Sequence, residues 1–195
     1  MQINITSNIK RTRRQIKGFE SQLPFAVMRT LNELGFKIQK EQQRQVSRKL
    51  DNPTPFTKRG FRVEKAKMSN LQTLIYIPPI QDEYMKYQIE GGTRNFRGKG
   101  GAAIPGKGLK VNAYGNIPGK RKGLLKRKSD FIIPGRGVFR TVGKVTKKVI
   151  AFVKKITYKN KFPFYQIGGG IVSNLGAQIL KANVEKAIST AKFKG

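Results

Sequence analysis

Acid–base chemistry in this chain falls to ten carboxylates and the lysines, because its 195 residues include neither His nor Cys. That excludes imidazole bases, thiol nucleophiles, disulfides and the zinc and haem sites built on those ligands. Asp82 and Glu83 are adjacent and Glu90 follows nearby. Adjacent carboxylates point to opposite faces of a strand and do not face each other on a helix, so the pair makes no acid–base couple. A metal-dependent nuclease could gather acids from distant segments, but no recognisable constellation announces one. No catalytic residue, metal or cofactor is expected.

Phosphate-binding loops fare no better. The run Gly101-Ala102-Ala103-Ile104-Pro105-Gly106-Lys107-Gly108 nearly spells the loop of nucleotide hydrolases. Gly108 stands where a hydroxyl must hold magnesium, Pro105 removes a cradle amide, and no following helix is expected to supply a dipole. Gly168-Gly169-Gly170 lacks dinucleotide-fingerprint spacing and reads as a flexible approach to a last helix.

The chemistry that remains is electrostatic. Lys and Arg number 41, and the formal charge is +31. From Gly91 to Lys161 about twenty cations face a single acid, Asp130. Three similar segments carry cations at turn exits: Ile104-Pro105-Gly106-Lys107, Ile117-Pro118-Gly119-Lys120 and Ile133-Pro134-Gly135-Arg136. Pro pre-sets the first central position of a type II turn, and Gly accepts the positive φ of the second. The candidate contacts with DNA or an acidic partner are Arg11, Arg13 and Arg14, Lys107 and Lys110, Lys120, Arg121 and Lys122, Lys126, Arg127 and Lys128, and Arg136 and Arg140. Lys147-Lys148 and Lys154-Lys155 lie beside apolar strand residues and read as a solvated face. Phe96 and Tyr114 are the only rings between Gly91 and Asp130, so contact through phosphates is expected ahead of base stacking.

The elements that must position these cations begin with a basic helix or arm over residues 1–22, helical from about Ser7 to Ser21. Residues 23–195 read as a single domain. Val27, Leu31, Leu34, Ile38, Val46 and Leu50 predict a helix from Leu23 to Leu50, with Pro24 in its first turn and Lys40, Gln42, Gln43, Arg44 and Arg48 outward. Asp51-Asn52-Pro53-Thr54-Pro55 ends it. Strands are expected at Phe61–Ala66, Leu71–Ile77, Lys110–Tyr114, Phe131–Ile133, Val138–Val142 and Val145–Tyr158, with Tyr84–Ile89 helical or irregular. Val172, Gly176, Leu180, Val184 and Ile188 mark a C-terminal amphipathic helix, flanked by Leu175, Ile179, Ala187 and Ala191 on the same side and capped near Ser173. The fold class is α+β: a mostly antiparallel sheet, a long N-terminal helix and an amphipathic C-terminal helix, with a basic Gly/Pro-rich insertion at about 91–143. Neither a signal-peptide core nor a membrane-length apolar run is visible, so the chain is expected in a reducing, soluble compartment.

Taken together, several segments resemble the minor tail protein Z family of long-tailed bacteriophages, also called tail completion or neck proteins. They are Leu31-Asn32 in the long helix, its stop at Asp51-Asn52-Pro53-Thr54-Pro55-Phe56-Thr57, the strand opening Phe61-Arg62-Val63, Gln88-Ile89-Glu90-Gly91-Gly92-Thr93-Arg94, the basic insertion, and Phe162-Pro163-Phe164 before the last helix. The likeness runs from about Ala26 onward and its motifs are architectural. It implies a virion protein at the head–tail junction, assembled in the host cytoplasm, joining the tail tube to the connector as a six-fold ring around the DNA path. The alternatives are a basic ribosomal or nucleoid nucleic-acid-binding protein and, behind it, a carboxylate-dependent nuclease. Six copies at +31 would carry about 186 positive charges, whereas roughly 40 Å of duplex offers some two dozen phosphates. Acidic protein neighbours are therefore expected to meet many of the cations.

Overall fold

A computed structural model describes residues 9–96, 101–107, 109–117 and 129–190. In chain order its elements are α1 (Ile9–Lys49), α2 (Pro55–Lys58), β1 (Arg62–Glu64), β2 (Leu74–Tyr76), α3 (Pro79–Ile89), β3 (Gly92–Asn95), β4 (Ala102–Pro105), β5 (Asp130–Ile133), β6 (Gly137–Val142), β7 (Val145–Val153), β8 (Lys155–Tyr158) and α4 (Phe164–Thr190). Every strand pairing among the described residues is antiparallel, and the fold is α+β with long helices near both ends. The described residues divide between two compact units. The first draws on the described residues within 1–44, 60–78 and 164–195, the second on those within 45–59 and 79–163.

Two helices expected in the N-terminal part are one. Helix α1 runs unbroken for 41 residues with Pro24 inside it; a single proline withholds one amide donor, and the turns on either side remain bonded. Its buried line is Ala26, Thr30, Leu34, Ile38, Gln42 and Val46, at steps of four. Gln42, expected outward, is buried because its Nε2 donates to the Phe164 carbonyl at 2.8 Å, leaving its Oε1 without a partner among the described residues.

In the first unit, polar side chains of α1 grip the β1–β2 hairpin by its backbone. Asn32 Oδ1 accepts from the Ala66 amide at 2.7 Å and from the Thr73 hydroxyl at 3.3 Å, while its Nδ2 donates to the Ala66 carbonyl. Gln39 donates to the Phe61 carbonyl at 2.7 Å. Gly35 belongs in this helix despite its low propensity: a Cβ there would meet Thr73 Cγ2 at 2.6 Å and Val63 Cγ1 at 3.1 Å. Phe61 packs face to face with Phe164, ring centres 6.3 Å apart, and Asn183 donates to the Thr30 hydroxyl.

Helix α4 begins at Phe164, so Gly168-Gly169-Gly170 is helical and Ser173 is interior, not a cap. The buried line on it is Ile179, Asn183 and Ala187: Ile179 and Ala187 are the expected flanking residues, and the line lies one position away from the expected stripe, while Ala191 lies outside the described residues. Val172, Leu180 and Ile188 of that stripe are instead exposed. The helix is apolar around so much of its circumference that spacing cannot choose between neighbouring lines; the Asn183–Thr30 hydrogen bond lies on the buried one.

The second unit begins at Gln45, within the last turns of α1. Asn52 takes a left-handed φ of 45°, and the Thr54 hydroxyl accepts from the Thr57 amide, capping α2. Helix α3 buries Gln81, Met85 and Ile89, and its Gln88 carbonyl accepts the amides of both Lys161 and Phe162. The single sheet expected is three: β1–β2, β3–β8, and a four-stranded sheet ordered β4-β7-β6-β5. The long strand expected over Val145–Tyr158 is two, because Lys154 interrupts it and its carbonyl accepts from the Phe96 amide, moving the chain from one sheet to another. Lys110–Tyr114 is a loop, not a strand. Asn112 Oδ1 takes the amides of Tyr114 and Asn116, and Gly115 has a φ of 76°.

Candidate nucleic-acid interface

The four-stranded sheet sorts its side chains onto two unlike faces. Residues directly opposite in an antiparallel ladder share a face, so the register assigns them. Val138 pairs with Ile150, and a bulge between Val138 and Phe139 turns Val149 to the same side. These three are buried, with Leu109, Ile117 and Phe152 packed against them. The other face carries Phe131 opposite Phe139, Phe139 opposite Lys148, and Ile104 opposite Ala151. Phe131 is 43% exposed and Ile104 38%.

The single acid of the Gly91–Lys161 stretch is already committed. Asp130 sits opposite Arg140 across β5 and β6, and the pair is bidentate, Nε to Oδ1 at 2.6 Å and Nη2 to Oδ2 at 3.0 Å. Their side chains are 1% and 14% exposed respectively. The hydrogen bonds that Arg140 donates to Asp130 raise the Arg140 pKa above its ordinary value, against the opposing effect of burial. Arg140 therefore staples two strands, and its guanidinium is not a free contact for a partner.

Other expected cations are differently placed. Arg136 is exposed at the β5–β6 turn, where its amide donates to the Ile133 carbonyl and Gly135 has a φ of 72°. That is the expected turn. Lys107 is also exposed, but the turn there is closed from the Leu109 amide to the Gly106 carbonyl, with Ile104 and Pro105 still in β4. Gly106 serves close approach rather than positive φ, since a Cβ would lie 2.8 Å from the Lys148 carbonyl. Lys110 is exposed in the following loop. Lys120, Arg121, Lys122, Lys126, Arg127 and Lys128, and the turn at Pro118-Gly119, lie outside the described residues. Arg11, Arg13 and Arg14 belong to the backbone of α1, with side chains outside the described set.

Sequence reasoning missed where cations go when carboxylates run out. Among the described residues, cations lie over aromatic rings six times and pair with carboxylates five times. In the second unit Arg94 is shared by Phe96 at 4.9 Å and Tyr87 at 5.8 Å, Lys86 also lies over Tyr87, and Lys148 lies over Phe139 at 5.4 Å. A ring face attracts a cation without neutralising it, so these positive charges are held in place and remain available. Strand pairing creates these contacts; nothing in linear spacing marks them.

The carboxylates do not assemble. Asp82, Glu83 and Glu90 are exposed, and the described residues contain no group of three or more metal-capable side chains. A cavity of about 370 Å³ is lined by Leu50, Thr54, Thr57, Tyr84, Tyr114 and Lys161 among others. Its hydroxyls bond one another, Thr54 to Thr57 and Thr57 to Tyr84 at 3.0 Å each, and Lys161 lies 3.7 Å from Asp51. No helix among the described residues is long and apolar enough to cross a membrane. Compared with known proteins, the chain matches no family model, no curated protein and no solved structure.

Proposed function

We propose that the chain is a structural subunit of a bacteriophage particle at the head–tail junction, a tail completion or neck protein. It acts as one member of a ring, six-fold by preference, that joins tail tube to connector and surrounds the DNA path. The observation that carries this reading is the surplus of positive charge: +31 in total, with Asp130 bound to Arg140 and other cations among the described residues resting on rings. Such a surface opposes compaction until anionic partners meet it. Phosphates of DNA take some of the charge, and acidic neck or tail neighbours take the rest. The exposed Val172, Leu180 and Ile188 on α4 support a role for that helix between copies of the chain. The succession of segments that resembles the tail protein family favours this reading over a ribosomal or nucleoid protein, which the charge alone would fit as well.

Fractionation of expressing cells tests it. The chain is expected to leave ribosomes after a moderate salt wash and, because its phosphate contacts are salt-sensitive, to carry no host RNA once purified at high salt. A nuclease-sensitive, ribosome-bound fraction that survives the wash would overturn the proposal. Divalent-metal-dependent DNA cleavage abolished by Glu90→Gln would replace it with the nuclease.

A further inference from the structure

The open face of the four-stranded sheet has a use that phosphate contact does not explain. Phe131 and Phe139 lie opposite each other with ring centres 5.9 Å apart and planes inclined by 22°, an offset stack. Lys148 covers Phe139 from the next strand, while Phe131 keeps 43% of its surface in solvent. Ile104, Ile133 and Ala151 continue the face, and Arg136 is exposed at the turn that joins β5 to β6. The opposite face is the packed core around Val138, Val149 and Ile150 and carries the Asp130–Arg140 pair. The sheet thus buries its carboxylate on one side and presents rings and cations on the other.

From this arrangement we infer that the Phe131–Phe139 face binds single-stranded nucleic acid, an unpaired base stacking on the outer side of Phe131 while Lys148 and Arg136 meet the flanking phosphates. Charge complementarity selects the occupant. A neutral apolar peptide would fit the rings but would leave a region of about twenty cations and one acid without counter-charge. A polyanion without exposed bases would meet the cations but leave the rings bare. Single strands offer both, because every base has a face that stacks on an aromatic ring whatever its sequence. In a duplex those faces are already stacked on one another, so the ring pair adds nothing there.

This goes beyond the proposed ring and rests only on its nucleic-acid component. Fluorescence anisotropy at one fixed salt concentration would compare an oligothymidine of about sixteen nucleotides with a duplex of equal length. Phe131→Leu is expected to weaken oligothymidine binding about tenfold, the scale of one lost stacking contact, and to change duplex binding less than about twofold. Because the chain contains no Trp, Phe131→Trp installs a single reporter at the site and keeps a large ring for packing. The indole emission of this variant is expected to fall when oligothymidine binds and to stay level with heparin, which has charge but no bases. Equal weakening of both nucleic acids by Phe131→Leu would overturn the inference, as would oligothymidine binding that leaves the emission of Phe131→Trp unchanged. Duplex binding that persists through either outcome leaves the phosphate contacts of the proposed function standing; loss of all nucleic-acid binding in the wild-type chain removes both.

Discussion

Arg136 and Arg140 are four residues apart and have unrelated jobs. Arg140 is fixed bidentate to a carboxylate that is 1% exposed, so its removal leaves Asp130 without its main counter-charge. Arg140→Met is expected to cost about 2 kcal/mol in urea unfolding, below the cost of breaking a fully buried pair because Arg140 keeps one edge in water. Arg136→Ala, at an exposed turn, is expected to leave the urea midpoint unchanged and to lower the salt slope of DNA binding by about one contact. The pair also sets a pH expectation. Arg140 has a raised pKa, so its contribution is fully present below the ordinary arginine range and is lost only as pH rises through the still higher folded value. Through neutrality and mild alkali, melts of the wild-type chain should show no loss traceable to this pair.

At the scale of elements, α1 and α4 each carry more apolar or small positions than one buried line requires. Gly35→Ala ought to help an isolated helix, by about 1 kcal/mol. Here the added methyl meets Thr73, whose hydroxyl is held by Asn32, and Val63, so the variant is expected to lose about 1–2 kcal/mol in thermal melts. On α4 the two lines separate cleanly in a mutational test. Ile179→Ala, in the buried line, is expected to cost about 2–3 kcal/mol, whereas Leu180→Ser should shift stability by less than about 0.5 kcal/mol and weaken self-association in sedimentation. The helical character of α1 and α4, the stop at Asp51–Pro55 and most strands were legible from periodicity and from Pro and Asn signals, because those features are local, whereas α2, β3 and β4 were not expected. Three further things were not legible. The inward turn of Gln42 depends on a carbonyl 122 residues away, the division into three sheets depends on which strand finds which, and the choice between α4 stripes depends on Asn183 reaching Thr30. The candidate site divides in the same way: cation clusters can be read from composition, but the ring under Lys148 and the acid beside Arg140 appear only once β5, β6 and β7 are paired.

The molecule as a whole is dominated by one number, a net charge of +31. Five carboxylates among the described residues are engaged by cations within the chain, which leaves little internal means of offsetting the surplus. Stability and assembly should consequently respond in opposite senses to salt. Raising ionic strength screens self-repulsion and is expected to raise the melting temperature of the free chain, while docking to an acidic neighbour should weaken steeply over the same range. The account's central claim is that this charge belongs to a ring subunit. Electron micrographs of the purified, RNA-free chain test that most directly: the account predicts closed rings of uniform size with six-fold averages, and a monodisperse monomer that forms no ring with or without DNA would contradict it.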